Sequence, residues 1–378
     1  MTQNECYSNI HNPGSTGPGG PFGPCMLFNG TTNSSIMRQS NGTFPADAGA
    51  VDMLEVDAAY DRAVSDFMRH AVTEKKKPFF FYFASHHTHA PQFASEWSNG
   101  TTRRGLFGDS LNLLDRSVGN ILDTIEELGI DKETFVLFSA DNGGSLHWHD
   151  LGGVNGDLRC GKGTTFEGGH RVPTMVRWPG KIPGGGVNRG IAATLDWFPT
   201  IAALAGAPLI SGVKLDGVDL SPMLFAAAGH NGTAAQFGTA ASPRDFFFYH
   251  TTKGAPQLVD GGPGLMAVRK GAWKMHWYTQ GSHCTNDYFD AMCYAGLQNH
   301  KTAPLLFNLE TDPGEVLPFN SSTPEFQRWA PVLQATADKY LASFVSGKSQ
   351  IAKGSNAKTR FPCCSPGCSP RPNCCKCA

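Results

Sequence analysis

Phe138–Pro173 reads FSADNGGSLHWHDLGGVNGDLRCGKGTTFEGGHRVP. It opens on the end of Thr134–Ser139, TFVLFS, whose β-branched and aromatic residues predict a strand. Ala140-Asp141-Asn142-Gly143 then places a carboxylate and an amide oxygen together at the strand's C-terminal end. Open α/β sheets carry their sites at that edge, and two oxygen donors suit a hard cation such as calcium. Cys160-Gly161-Lys162-Gly163 follows downstream. A lysine between glycines has little crowding on either side, so a small anion can approach it closely.

Length and composition bound the rest. The chain has 378 residues, 40% of them hydrophobic and 17% charged. That is a globular profile, long enough for one large domain and a smaller one. The net charge of −1 gives no electrostatic case for nucleic acid. No apolar stretch reaches the roughly 18 residues of a membrane span. Eleven cysteines and six sequons, at Asn29, Asn33, Asn41, Asn99, Asn231 and Asn320, point to an oxidising secretory compartment, lysosomal or extracellular. Met1–Glu5 has neither the basic start nor the apolar core of a signal peptide.

Four segments are expected. Residues 1–45, rich in Gly, Pro, Asn and Ser, read as a glycosylated loop-like segment in which Cys6 and Cys25 could bridge. Residues 46–240 read as the main α/β domain. A helix from Asp57 puts Tyr60, Val64, Phe67, Met68 and Ala71 on one face and ends at Lys75-Lys76-Lys77. Phe79–Ala84, FFFYFA, fits a strand buried on both faces. A second helix, opened by Asp109 and closed by Gly129, turns Leu111, Leu114, Val118, Ile121, Leu122, Ile125 and Leu128 inward. With the Thr134 strand this is a βαβ unit and predicts a mostly parallel sheet flanked by helices. Thr174–Trp178 is a further strand and Asp196–Ala205 a short helix, while Asp216 and Asp219 read as turn and cap residues. Residues 241–350 switch to a period of two, with a hairpin at Lys270-Gly271, a strand at Leu305–Leu309 and a helix over Pro324–Val345. They form a small antiparallel sheet with a packing helix. Residues 351–378 hold six cysteines and must be a disulfide-held tail.

Ser85-His86-His87-Thr88-His89 ends the Phe79 run. Three close histidines invite a zinc reading, but no matching Cys or His pair lies nearby in sequence. One functional histidine with packing neighbours is the preferred reading.

Taken together, SHHTHAPQF, ADNGG and RCGKGTTFEGGHRVP resemble the sulfatase family of the alkaline-phosphatase superfamily, in its arylsulfatase-like form, from about Pro78 onward. The resemblance implies a sulfuric ester hydrolase acting on a sulfated small molecule, lipid or sugar. It implies calcium held partly by Asp141 and Asn142, sulfate contacts from Lys162 and His89, and a third contact from His283 in the small domain. Lys162 would neutralise charge on the sulfate and the leaving oxygen, and His89 would donate a hydrogen bond or proton to it. It also implies a Cys160–Cys293 bridge, or failing that Cys160–Cys284, and leaves a homo-oligomer open.

The family's nucleophile is a formylglycine made from the cysteine of C-x-P-S-R, and none of the eleven cysteines stands in that motif. Cys368-Ser369-Pro370-Arg371 lacks the serine and sits within the tail. The N-terminal metal aspartates have no counterpart either. The resemblance therefore implies the larger, C-terminal part of a sulfatase, inactive by itself. A non-catalytic secreted binding protein and a phosphoesterase of the same superfamily are the other two readings.

Overall fold

The computed structural model describes residues 26–29, 32–38, 51–89, 92–146, 152–225, 242–250, 264–280 and 297–345. Chain contacts divide it into two compact units, residues 1–128 with 347–378, and residues 129–346.

The first unit contains strands β1 (Met26–Asn29), β2 (Thr32–Arg38) and β3 (Val51–Asp52), with β1 antiparallel and β3 parallel to β2. Two helices follow. Helix α1 (Met53–Arg69) runs into one π-helical turn, His70–Lys75, and stops at Lys76, which adopts the left-handed conformation. Of the predicted inner face Val64, Met68 and Ala71 are buried, Tyr60 is half-buried and Phe67 is exposed. Phe67 packs edge-on and tilted against Phe79 and Phe81.

Helix α2 (Gly105–Glu127) starts before Asp109 and shows a rotated inner face. Leu113 and Ile125 are buried beside Ser110, Ser117 and Thr124, while Leu111 is exposed. Small polar residues win the seam because α1 pairs with them: Ser65 Oγ lies 2.9 Å from Thr124 Oγ1, and Asn120 donates to Asp61 at 2.6 Å. Asp109 is not a helix cap. Its carboxylate accepts from the amides of Gly100 and Thr102 at 2.8 and 2.9 Å and pins the turn before the helix.

The Phe79–Ala84 strand is absent among the described residues, where this run is non-regular with Phe80 and Tyr82 exposed. A strand exists only through its ladder partners, and none of the described residues supplies one. The parallel sheet is corrected as well. Among the described residues strand β4 (Val136–Ser139) pairs only with β5 (Thr174–Arg177), antiparallel, from Val136↔Arg177 to Ser139↔Thr174. Between the two strands the described residues form loops and the short turn α3 (Glu167–His170), and none of them forms a helical crossover.

The second unit continues with α4 (Trp197–Leu204), closed by Gly206 at φ +63°, and α5 (Ser221–Phe225), whose start Asp219 caps by accepting from Ser221 N at 2.8 Å. Asp216 lies in the turn before it, its carbonyl accepting from Arg244 at 2.7 Å. Its four-stranded antiparallel sheet has the order β11-β8-β7-β6: Leu305–Asn308, Trp273–His276, Leu265–Lys270 and Phe246–His250. The β7–β8 hairpin turns at Gly271, as predicted. Tyr278–Gln280 (β9) pairs with Leu297–Asn299 (β10).

Helix α6 (Pro324–Ser343) covers this sheet, its N-terminus capped by Thr323 Oγ1 accepting from Phe326 N. Leu333 and Ala337 bury against Met266, Val268, Met275 and Leu306. Each such fully buried aliphatic side chain contributes about 1.5–3 kcal/mol. Trp277 Nε1 donates to Gln334 at 2.9 Å, tying helix to sheet through a polar contact in the same layer.

Candidate active site

Strand β4 delivers Asp141 and Asn142 onto a loop packed backbone to backbone against the lysine loop. Gly143 N donates to Gly169 O at 3.1 Å and Lys162 N to Gly144 O at 3.0 Å. Asn155 bridges the two loops: its Oδ1 accepts from Gly144 N at 2.8 Å and its Nδ2 donates to Cys160 O at 2.6 Å. Only glycine fits the crossing. A Cβ at Gly143 would stand 1.7 Å from the carbonyl oxygen of Gly168. Gly161, read from sequence as room for an anion, is first of all room for a second backbone: a Cβ there would stand 2.1 Å from the carbonyl oxygen of Gly144.

Asp141 is exposed and Asn142 half-buried. Asn142 Nδ2 donates to the Asp141 carboxylate, while Asn142 Oδ1 is buried without a hydrogen-bond partner. An uncompensated buried oxygen beside a carboxylate fits a hard cation, so Asp141 and Asn142 match two of calcium's oxygen ligands. Lys162 is half-buried, and no hydrogen bond or ion pair joins its ammonium to another described residue. Cys160, fully buried with φ +57°, is disulfide-bonded, and its partner lies outside the described residues.

The lysine loop is fastened to the small sheet by buried ions. Lys274 on β8 contacts Glu167 Oε1 at 3.0 Å and Glu315 Oε1 at 3.1 Å and donates to Thr165 O at 2.7 Å; all three ionic side chains are essentially unexposed. Glu315 Oε2 accepts from Glu167 N at 2.6 Å, and His276 Nε2 meets Glu315 Oε1 at 2.6 Å. Gln280 on β9 accepts from Thr165 N at 2.9 Å, and Arg159 donates to Glu315 O at 2.8 Å. Burial by itself would lower the Lys274 pKa, but Glu315, Tyr249 and Glu167 outweigh it and hold the ammonium charged. Burial pushes His276 down, against the pull of Glu315.

Sequence reasoning missed this cluster. Its signals were present: Lys274 and His276 are two polar residues at i and i+2 in an otherwise apolar strand, hence on one face. Glu167 follows the lysine loop directly, and Glu315 ends an Asp312-Pro313-Gly314-Glu315 turn.

In the other unit, His86 and His87 turn to one carboxylate. Asp57 on α1 meets His87 Nε2 at 2.8 Å and His86 Nε2 at 3.4 Å. The His86 ring stacks on Phe93 at 4.9 Å. His89 follows, half-buried and hydrogen-bonded through its backbone to His86 O at 3.0 Å. His283, Cys284 and Cys293 lie outside the described residues, as do Cys6, Cys25 and the cysteine tail. The structure thus brings Asp141, Asn142 and Lys162 together within one unit.

The crossed glycine loops carry the Asp141–Asn142 pair and Lys162 within one compact unit. The family model "Sulfatase" matches residues 5–207, and that of the "C-terminal region of aryl-sulfatase" matches residues 242–377. The chain belongs to the sulfatase family. It is 42% identical to arylsulfatase A of Homo sapiens over 330 residues, which is 85% of this chain and 60% of that protein. It is 35% identical to N-acetylgalactosamine-6-sulfatase of Canis lupus familiaris, over 73% of this chain and 51% of that protein. The chain thus spans about half to three-fifths of the length of these relatives. A solved sulfatase, PsFucS1 of Pseudoalteromonas sp., shares the fold with a TM-score of 0.63 at 23% identity, over 81% of this chain and 58% of that one.

Proposed function

We propose that this chain supplies the calcium and anion half of a sulfuric ester hydrolase. The observation that carries the reading is the backbone lock between Gly144 and Lys162, which sets the Asp141–Asn142 pair and a lysine ammonium on neighbouring loops. Asp141 and Asn142 would hold the ion, which when bound supplies positive charge for a sulfate oxygen. Lys162 binds the sulfate group and stabilises charge developing on the leaving oxygen. His89 donates a hydrogen bond, or the proton, to that oxygen, and His283 contributes a further substrate contact from the C-terminal region.

The names of the relatives support an ester of sulfate on an aryl group or a sugar, and a sulfolipid belongs to the same chemical range. The sequons and the cysteine count support a secretory destination, lysosomal or extracellular.

None of the chain's cysteines stands in C-x-P-S-R, so the 378-residue chain is expected to bind calcium and sulfate without turning over a chromogenic sulfate ester. Turnover above a Lys162→Ala control would overturn that division of labour. A form of the protein that carries the formylglycine motif is expected to hydrolyse the ester. Lys162→Ala should then lose kcat, Asp141→Asn should lose calcium affinity, and His283→Ala should lose activity at unchanged calcium affinity. Calcium binding that survives Asp141→Asn and Asn142→Ala together would reject the metal assignment, and hydrolysis of a phosphate ester in place of the sulfate would favour a phosphoesterase.

A further inference from the structure

We propose that Asp57, His86 and His87 form a binding site for a zinc-class divalent transition metal. Each offers one donor atom, and the three donors lie within 4.8 Å of one another. Asp57 Oδ1 is 3.4 Å from His86 Nε2, and Asp57 Oδ2 is 2.8 Å from His87 Nε2. Zinc bonds of about 2.0–2.1 Å arranged tetrahedrally separate their ligand atoms by about 3.3 Å, against donor spacings of at most 4.8 Å here.

The donor chemistry selects the metal. Two imidazole nitrogens and one carboxylate suit zinc and its neighbours, whereas calcium takes oxygen ligands. That separates this site from the Asp141–Asn142 pair, which offers oxygen alone.

An ordinary histidine–aspartate hydrogen bond accounts for only part of the geometry. It satisfies His87, which meets Asp57 at 2.8 Å. It leaves His86 Nε2 facing the same carboxylate, buried and without a hydrogen-bond partner. Buried polar atoms are satisfied in folded proteins, and an orphan needs a reason. A metal between the two rings satisfies both nitrogens at once.

The set is held rigidly for the purpose. Asp57 sits on helix α1, and Phe93 packs on both imidazoles, with centroids 4.9 and 5.0 Å away. Side-chain exposures of 12% for Asp57, 14% for His86 and 2% for His87 leave the set largely closed to solvent. Such a nearly closed site is structural in kind. It would staple α1 to the loop whose next residues are Thr88 and His89, and so fix that loop's course.

The experiment uses the full chain in its oxidised form, stripped with a chelator and titrated with zinc by calorimetry and with cobalt(II) by absorption. One metal per chain is expected, with the d–d bands of tetrahedral nitrogen and oxygen ligation and no thiolate charge-transfer band. Zinc should raise the melting temperature by mass action. Asp57→Asn and His86→Gln should each weaken binding by about tenfold or more and abolish the melting shift. His86→Gln removes no hydrogen bond that the structure shows, so its fold is expected to persist. Absence of binding, unchanged affinity in both variants, a thiolate band placing the metal on the cysteine tail, or displacement of cobalt by excess calcium would each overturn the site.

Discussion

Lys274, in the middle of an apolar strand, meets Glu167 at 3.0 Å with both side chains out of water. Glu167 opens the turn directly after the Gly161-Lys162-Gly163 loop, so a buried ion pair helps hold the loop that presents Lys162 to the small sheet. Removing one partner of such a pair strands the other charge in a low-dielectric interior. Lys274→Met is therefore expected to destabilise the protein by about 3–5 kcal/mol, measured by urea denaturation. The double variant Lys274→Met with Glu167→Gln should recover part of that loss, because one of the two stranded carboxylates becomes neutral. A double variant no more stable than the single one would show that Glu315 alone carries the cluster.

His276 gives the cluster a pH dependence of known sign. Burial holds its pKa below the ordinary 6.5, so as pH falls through 6.5 the unfolded chain takes up a proton that the folded chain refuses. The unfolded state binds more protons, and stability drops toward acid. Glu315, depressed chiefly by Lys274 against the opposing effect of burial, adds a loss of the same sign at lower pH, below the ordinary carboxylate value of 4.5. The unfolding free energy should fall between pH 7 and pH 5 in the native protein, and the fall should shrink in His276→Asn. Equal slopes would show that His276 is not held neutral.

Two glycine-to-alanine changes should act in opposite directions. A Cβ at Gly143 meets a backbone oxygen at 1.7 Å, which cannot move aside without opening the crossed loops. Gly143→Ala should cost about 3 kcal/mol, the upper range for overpacking, and weaken calcium binding through Asp141 and Asn142. Gly119 lies inside helix α2, and a methyl group on its Cα would meet nothing within 4 Å. Gly119→Ala should therefore stabilise by about 0.5–1 kcal/mol through helix propensity and lost chain entropy. Thermal melting of both variants tests the pair.

Cys160 is expected to be bonded to Cys293, and failing that to Cys284. Peptide mapping of the unreduced protein identifies the partner. Such a bridge closes a loop of more than about 100 residues and is worth about 4–5 kcal/mol on the chain-entropy account. Cys160→Ser should lower stability accordingly and loosen the adjoining Lys162 loop. A free Cys160 thiol in the native protein would reject the bridge.

Local pattern was enough for much of the fold. The face of α1, the β7–β8 hairpin at Gly271, the Leu305 strand and the start of α6 at Pro324 all follow from periodicity, turn chemistry and capping. Asp141, Asn142 and Lys162 are different: an Asp-Asn-Gly after a strand or a lysine between glycines reads alone as a turn or a surface loop, and they stand out only through the combination of motifs and the family resemblance.

What depends on partners distant in sequence was not legible. FFFYFA has the composition of a buried strand, yet a strand is made by its ladder, and composition names no partner. The reversal between β4 and β5 was hidden for the same reason: strand direction is set by how the intervening loops pack, here glycine against glycine. The inner face of α2 turned on the hydroxyl of Ser65 and the carboxylate of Asp61, 59 residues away in each contact. In the buried cluster Glu167 lies 107 positions from Lys274 and 148 from Glu315. A charge in a sequence reads as surface until its counter-charge is placed beside it, and only the tertiary structure does that.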